Sequence, residues 1–126
     1  MARDRKIELL SQVPLFRACT DKELKRIASI AETVQIGDGE VLTKEGAPGR
    51  EFYVIAEGKA SVTLRGDELA ELGPGDFFGE MALLDESPRA ATVTATTPMQ
   101  AYIVASHDFT TLLEDVPIVA RQILRG

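Results

Sequence analysis

Apolar residues recur every three or four positions near the start of the chain and every second position through its middle. Leu24, Ile27, Ala28 and Ala31 fall on one side of a helix, which predicts helix from Asp21 to Glu32 with one buried face. Thr20-Asp21-Lys22-Glu23 has capping-box spacing, in which the Thr hydroxyl accepts from the amide three residues on and the Glu carboxylate accepts from the Thr amide. Cys19 and Leu24 then occupy the positions of a hydrophobic staple across that end. Ile7, Leu10 and Leu15 predict a shorter helical piece before it, ended near Pro14.

From Val34 the period becomes two, and glycines at 37, 39, 46, 49, 58, 66, 73 and 75 cut the chain into the short segments of an all-β arrangement. Ala60, Val62 and Leu64 alternate with Ser61, Thr63 and Arg65, and Val93, Ala95 and Thr97 with Thr92, Thr94 and Thr96, so each run has two chemically distinct faces. Gly66-Asp67, between runs ending at Arg65 and resuming at Glu68, predicts a two-residue hairpin loop. A strand from Met99 to Ala105 leads to Ser106 as a helix cap. Phe109, Leu112 and Leu113 then form the apolar face of a helix to about Glu114. Pro117 suits the first turn of a last helix, where Ile118, Ile123 and Leu124 give partial amphipathicity. With no long-period repeat and no low-complexity linker, residues 1–126 are expected to form a single domain. Its helical start covers about 7–32, its strands about 33–105 and its closing helices about 106–125.

The length of 126 residues agrees, being close to one domain at roughly 150 residues each, without room for both a sensor and an effector. Fourteen Lys and Arg against twenty Asp and Glu give a net charge of −6, the wrong sign for wrapping nucleic acid or docking on anionic lipid. Neither is expected as a direct partner. Residues 1–10 lack the long apolar core of a signal peptide, and no apolar run approaches the ~18 residues that span a bilayer. The single cysteine, Cys19, permits no internal disulfide, so a cytoplasmic location is expected. One histidine, His107, cannot supply the several imidazoles of a metal-dependent cupin, the main rival among β-rolls. Ser87 lacks a nucleophile elbow, and the glycines around Gly46 and Gly58 form no P-loop. No catalytic residue, metal site or cofactor is therefore expected.

The chemistry concentrates between Phe77 and Val93. Gly79 to Leu84 has room for about a turn and a half of helix, whose free amides can face an anion that Gly79 allows to approach. Arg89, stiffened by Pro88, can hold two phosphate oxygens with its planar guanidinium. Glu80 beside a phosphate would be repulsive unless it faced another group, and a sugar hydroxyl is the natural partner. A ligand that joins ribose and phosphate compactly, as a cyclic nucleotide does, meets both requirements.

Phe78-Gly79-Glu80-Met81-Ala82-Leu83-Leu84 followed by Pro88-Arg89-Ala90-Ala91-Thr92-Val93 closely resembles the phosphate-binding cassette of cyclic nucleotide-binding domains. Such domains occur in catabolite-activator-type regulators, regulatory subunits of cAMP-dependent kinase and cyclic-nucleotide-gated channels. Gly46, Phe52-Tyr53-Val54-Ile55, Gly58 and Pro74-Gly75-Asp76 extend the resemblance over most of the chain. The resemblance implies a mainly β fold, an eight-stranded antiparallel, jelly-roll-like β-roll with N-terminal and C-terminal helices. It implies that Arg89 pairs with the exocyclic phosphate oxygens and Glu80 accepts from the ribose 2′-OH. Gly79, Ala82 and Ala90 would make backbone contacts, with Met81 and Ala91 completing the ligand-binding set. Ala90 stands where cGMP-selective kinase domains carry a threonine, which implies cAMP rather than cGMP. The chain departs from the family where a C-terminal helix often caps the base, because Ile118 to Gly126 offers no aromatic residue and Arg125 is only a weak substitute.

The resulting expectation is a cyclic-nucleotide sensor without catalytic activity, which transmits binding through its C-terminal helices to an effector protein or to a second copy in a homodimer. Two alternatives remain open on sequence: a structural or protein-interaction domain that kept the roll and lost the ligand, and the sensor fragment of a larger transcription factor, kinase or channel.

Overall fold

A computed structural model describes residues 5–49, 51–79 and 88–125 of the chain. Helices Arg5–Gln12 (α1) and Asp21–Ile30 (α2), linked through a 3₁₀ turn at Pro14–Phe16, come first. Strands follow at Glu32–Ile36 (β1), Val41–Thr43 (β2), Glu51–Glu57 (β3), Ala60–Leu64 (β4), Asp67–Leu72 (β5), Phe77–Phe78 (β6), Thr92–Ala95 (β7) and Met99–Ala105 (β8). Helices Ser106–Asp115 (α3) and Pro117–Arg125 (α4) close the chain. The eight described strands form two four-stranded sheets, ordered β1-β8-β3-β6 and β2-β7-β4-β5, with every pair antiparallel. This is the β-roll with flanking helices that the resemblance implied. Among the described residues, no helix is long and apolar enough to cross a membrane.

The capping box forms as its spacing predicts. Glu23 N–H donates to Thr20 Oγ1 at 3.2 Å and Thr20 N–H to Glu23 Oε1 at 2.7 Å. The helix stops two residues early, because Ala31 is already extended and Glu32 pairs with Ile103 of β8. At that point a sheet partner outweighs the helical propensity of Ala and Glu. The N-cap of α3 is also one residue earlier than expected. Ala105 occupies it with no side-chain cap bond, since β8 runs straight into the helix and leaves Ser106 inside the first turn, its carbonyl accepting from Thr110 Oγ1 at 3.0 Å.

The predicted hairpin exists with its loop shifted by one. Leu64 pairs with Asp67, so the loop is Arg65-Gly66, with φ of 53° and 86°. Positive φ at both central positions matches the right-handed twist of the strands, and the carboxylate of Glu45 accepts from the Arg65 amide at 2.9 Å.

β3 organises the interior because both of its faces are buried. Phe52, Val54 and Ala56 point to the helices and share a core with Phe16, Leu24 and Leu112. Ile55 points between the sheets and joins Val93, Met99 and Ala101. Phe16 meets Phe52 edge to face at 6.0 Å, and Phe77 of β6 continues that layer at 5.9 Å from Phe52. Full burial of Phe16 and Phe52 contributes about 1.5–3 kcal/mol each, and the partly buried Phe77, packed against that core, helps the two paired residues hold β6 in place.

Candidate ligand-binding site

Gly79 is placed by the turn and strand before it. Asp76 Oδ2 accepts from the Gly73 amide at 2.7 Å, Gly75 N–H donates to the Ile55 carbonyl at 2.8 Å, and Ile55 N–H donates to the Asp76 carbonyl at 2.9 Å. The turn therefore delivers β6 onto β3, with Tyr53 opposite Phe78 and Val54 opposite Phe77. The chain leaves β6 at Gly79 with φ +97°, a conformation that side chains rarely adopt. A Cβ there would stand 2.5 Å from the Glu51 carbonyl oxygen and 2.6 Å from Arg89 Nη1.

Arg89 arrives from the other side. Its amide donates to the Ala47 carbonyl at 2.8 Å, its carbonyl accepts from the Gly46 amide at 2.9 Å, and Pro88 bridges Pro48. The loop between β2 and β3 thus acts as a short additional strand beside Arg89. That loop is tied down at its other end by Glu45, whose amide donates to Thr92 Oγ1 at 3.0 Å and whose carboxylate holds the hairpin loop. The Arg89 side chain is only 9% exposed, and its Nη2 donates to the Glu51 carbonyl at 2.5 Å. A guanidinium this buried bears a large desolvation cost unless it is met by acceptors or an anion. The carbonyl of Glu51 accepts from one of its five N–H groups.

Tyr53 and Glu51 form the wall behind this arrangement. The Tyr53 hydroxyl lies 3.0 Å from Glu51 Oε1 and 3.1 Å from the Leu42 carbonyl, and its ring stacks on Phe78 at 4.6 Å and 9°. Burial first, and then the charge and hydrogen bond of Glu51, push the Tyr53 hydroxyl above its ordinary pKa, while the positive charge of Arg89 works the other way.

Of the residues expected from sequence to touch ligand, Gly79 and Arg89 come together as described. Ala90 is exposed beside Arg89, and Ala91 is half-buried with its carbonyl 3.4 Å from Thr43 Oγ1. Glu80, Met81 and Ala82 lie outside the described residues, as does the short helix expected up to Leu84. His107 is exposed and 3.2 Å from Asp108. No group of three or more His, Cys, Asp or Glu able to hold a metal occurs among the described residues. Glu51, Tyr53 and the 45–48 loop lie beside Arg89 although no motif in the sequence marks them as site elements. A signal existed for the first two: five consecutive buried-type residues, Phe52 to Ala56, mark a strand covered on both faces, and Glu51 is the charged residue at its mouth.

The family model for the cyclic nucleotide-binding domain matches residues 33–116. The chain is 35% identical, over 122 residues, to a cAMP-dependent protein kinase regulatory subunit of Hypocrea atroviridis, covering 96% of this chain and 26% of that protein. Among solved structures it is similar to the catabolite activator protein of Thermus thermophilus, with TM-score 0.82 and 31% identity over 89% of this chain and 55% of that one. It is also similar to the regulatory domain of Toxoplasma gondii PKA crystallised with cAMP, with TM-score 0.80 and 28% identity over 90% of this chain and 47% of that one. The chain spans 26% to 30% of the length of the curated relatives it matches.

Proposed function

This chain belongs to the cyclic nucleotide-binding domain family, and from that premise we propose that it is a cAMP-binding regulatory module without catalytic activity. The observation that carries the reading is Arg89. It is a buried guanidinium fixed against the Glu51 carbonyl at 2.5 Å and adjacent to Gly79, in the sequence order of the family's phosphate cassette. In this reading Arg89 binds the exocyclic phosphate oxygens, Glu80 accepts from the ribose 2′-OH, and Gly79, Met81, Ala82, Ala90 and Ala91 line the remaining contacts. The small, exposed Ala90 supports cAMP over cGMP, as does the similarity to the Toxoplasma gondii regulatory domain crystallised with cAMP.

Residues 1–126 act as one unit in this proposal, since β3 contributes to both cores. α3 and α4 carry the response to a protein effector, a role supported by the relatives named as kinase regulatory subunits. Titration calorimetry with cAMP and cGMP tests the assignment. Binding of cAMP with weaker binding of cGMP is expected, and Arg89→Ala should lose about 1.5–3 kcal/mol, the range for a hydrogen bond to a charged group. Absence of heat and of thermal shift with either nucleotide would overturn it.

A further inference from the structure

We infer that Tyr53 and the Glu51 side chain form a positioning pair for Arg89: the tyrosine hydroxyl anchors Glu51, and the Glu51 carbonyl aims the guanidinium. The inference rests on the reading of Arg89 as the phosphate ligand. Residues two apart on a strand share a face, so Glu51 and Tyr53 can meet at 3.0 Å at the very start of β3. Tyr53 is itself well fixed. It is 5% exposed, its ring is stacked on Phe78, and its hydroxyl also reaches Leu42 of β2. A hydroxyl has one proton to donate, and an ionised carboxylate is a stronger acceptor than a carbonyl, so Glu51 holds that proton and Leu42 is the alternative partner. Burial and the Glu51 charge both keep the proton on the tyrosine oxygen.

The Glu51 peptide is the point where the two halves of the site converge. Arg89 Nη2 donates to its carbonyl, and Gly79 passes so close that a Cβ would collide with both the carbonyl and Arg89. Glu51 faces Ala105 and Phe52 faces Val104 in the ladder with β8, so the sheet holds the peptide that carries the Glu51 carbonyl on that side. The Tyr53 hydroxyl fixes the side chain of the same residue, so strand and side chain together set the carbonyl that orients Arg89. Neither Tyr53 nor Glu51 needs to touch the ligand.

The test has a spectroscopic arm in the ligand-free protein and a binding arm. The Nε–H resonance of Arg89, assigned by its loss in Arg89→Lys, should be resolved and slow to exchange with solvent in the parent protein. It should exchange faster in Tyr53→Phe and in Glu51→Ala, while both variants unfold cooperatively. Tyr53→Phe should weaken cAMP binding by about three- to tenfold, the loss of one net hydrogen bond, and that loss should vanish in an Arg89→Ala background. An Arg89 resonance unchanged in Tyr53→Phe overturns the inference whatever the affinity, and so does an equal loss in both backgrounds. Failure of the parent protein to bind cAMP overturns the proposed function instead, and the spectroscopic arm then decides the pairing by itself.

Discussion

At Gly79 a single methyl group would collide with both Arg89 and the carbonyl that holds it. Its φ of +97° is disfavoured for any L side chain, and the Cβ would fall within 2.6 Å of both the Glu51 carbonyl oxygen and Arg89 Nη1. Gly79→Ala should therefore lose about 1–3 kcal/mol of stability and displace the guanidinium. Urea unfolding and cAMP titration of the variant measure the two effects separately, and an unchanged midpoint would refute the strain. Cys19 gives a second residue-scale expectation. Burial, reinforced by Glu23, raises its thiol from 9.0 to about 11. The folded chain keeps that proton where the unfolded chain releases it, so the stabilisation is complete below about pH 9 and is lost as pH rises towards 11. Unfolding midpoints of the parent and Cys19→Ala, measured from pH 8 upward, should converge or cross across that window; parallel curves would contradict the shift. Arg89 and Gly79 are legible from sequence through their places in the cassette pattern Phe78-Gly79-Glu80 and Pro88-Arg89-Ala90-Ala91, not through residue type, which several other arginines and glycines of the chain share. The place of Glu51 at the mouth of a doubly covered strand is legible, but its contact with Arg89 is not, because the group it offers is a main-chain carbonyl, which every residue carries.

Among the elements, α2 follows most closely from local sequence. Thr20→Ala removes one half of its capping box and should cost about 1 kcal/mol, read as a lower unfolding midpoint with the helix otherwise intact; no change would mean that tertiary packing alone sets its start. Where an element ends against a neighbour, local rules are overridden. α2 yields Ala31 and Glu32 to the pairing with β8, and the β4–β5 loop falls on Arg65-Gly66 instead of Gly66-Asp67. The second shift puts an arginine at φ 53°, and the compensating partner is Glu45, twenty residues away. No local propensity contains that contact.

For the molecule as a whole, two cores share β3, one against the helices and one between the sheets. β6, which leads into Gly79, sits on the same strand, so a change at the candidate site and a change in helix packing both act on β3. The Arg26–Asp115 pair between α2 and α3 spans 2.6 Å, but both side chains are about half exposed, and such a pair contributes only about 0–1 kcal/mol. It cannot lock α3 in place. Saturating cAMP should therefore alter amide hydrogen exchange in residues 106–122 as well as around Gly79 and Arg89, and a response confined to the site would refute transmission through the helices. Ligand at 100 times its Kd should also raise stability by about 2.7 kcal/mol. Helix–roll–helix order, most element positions and Arg89 as the candidate phosphate ligand follow from the sequence, because periodicity, capping and the cassette pattern are carried by neighbouring residues. Folding alone sets the Glu51 carbonyl against Arg89, Tyr53 behind it and the 45–48 loop beside it. Those contacts join main-chain and side-chain groups brought together by folding, and main-chain groups look the same at every position in the sequence.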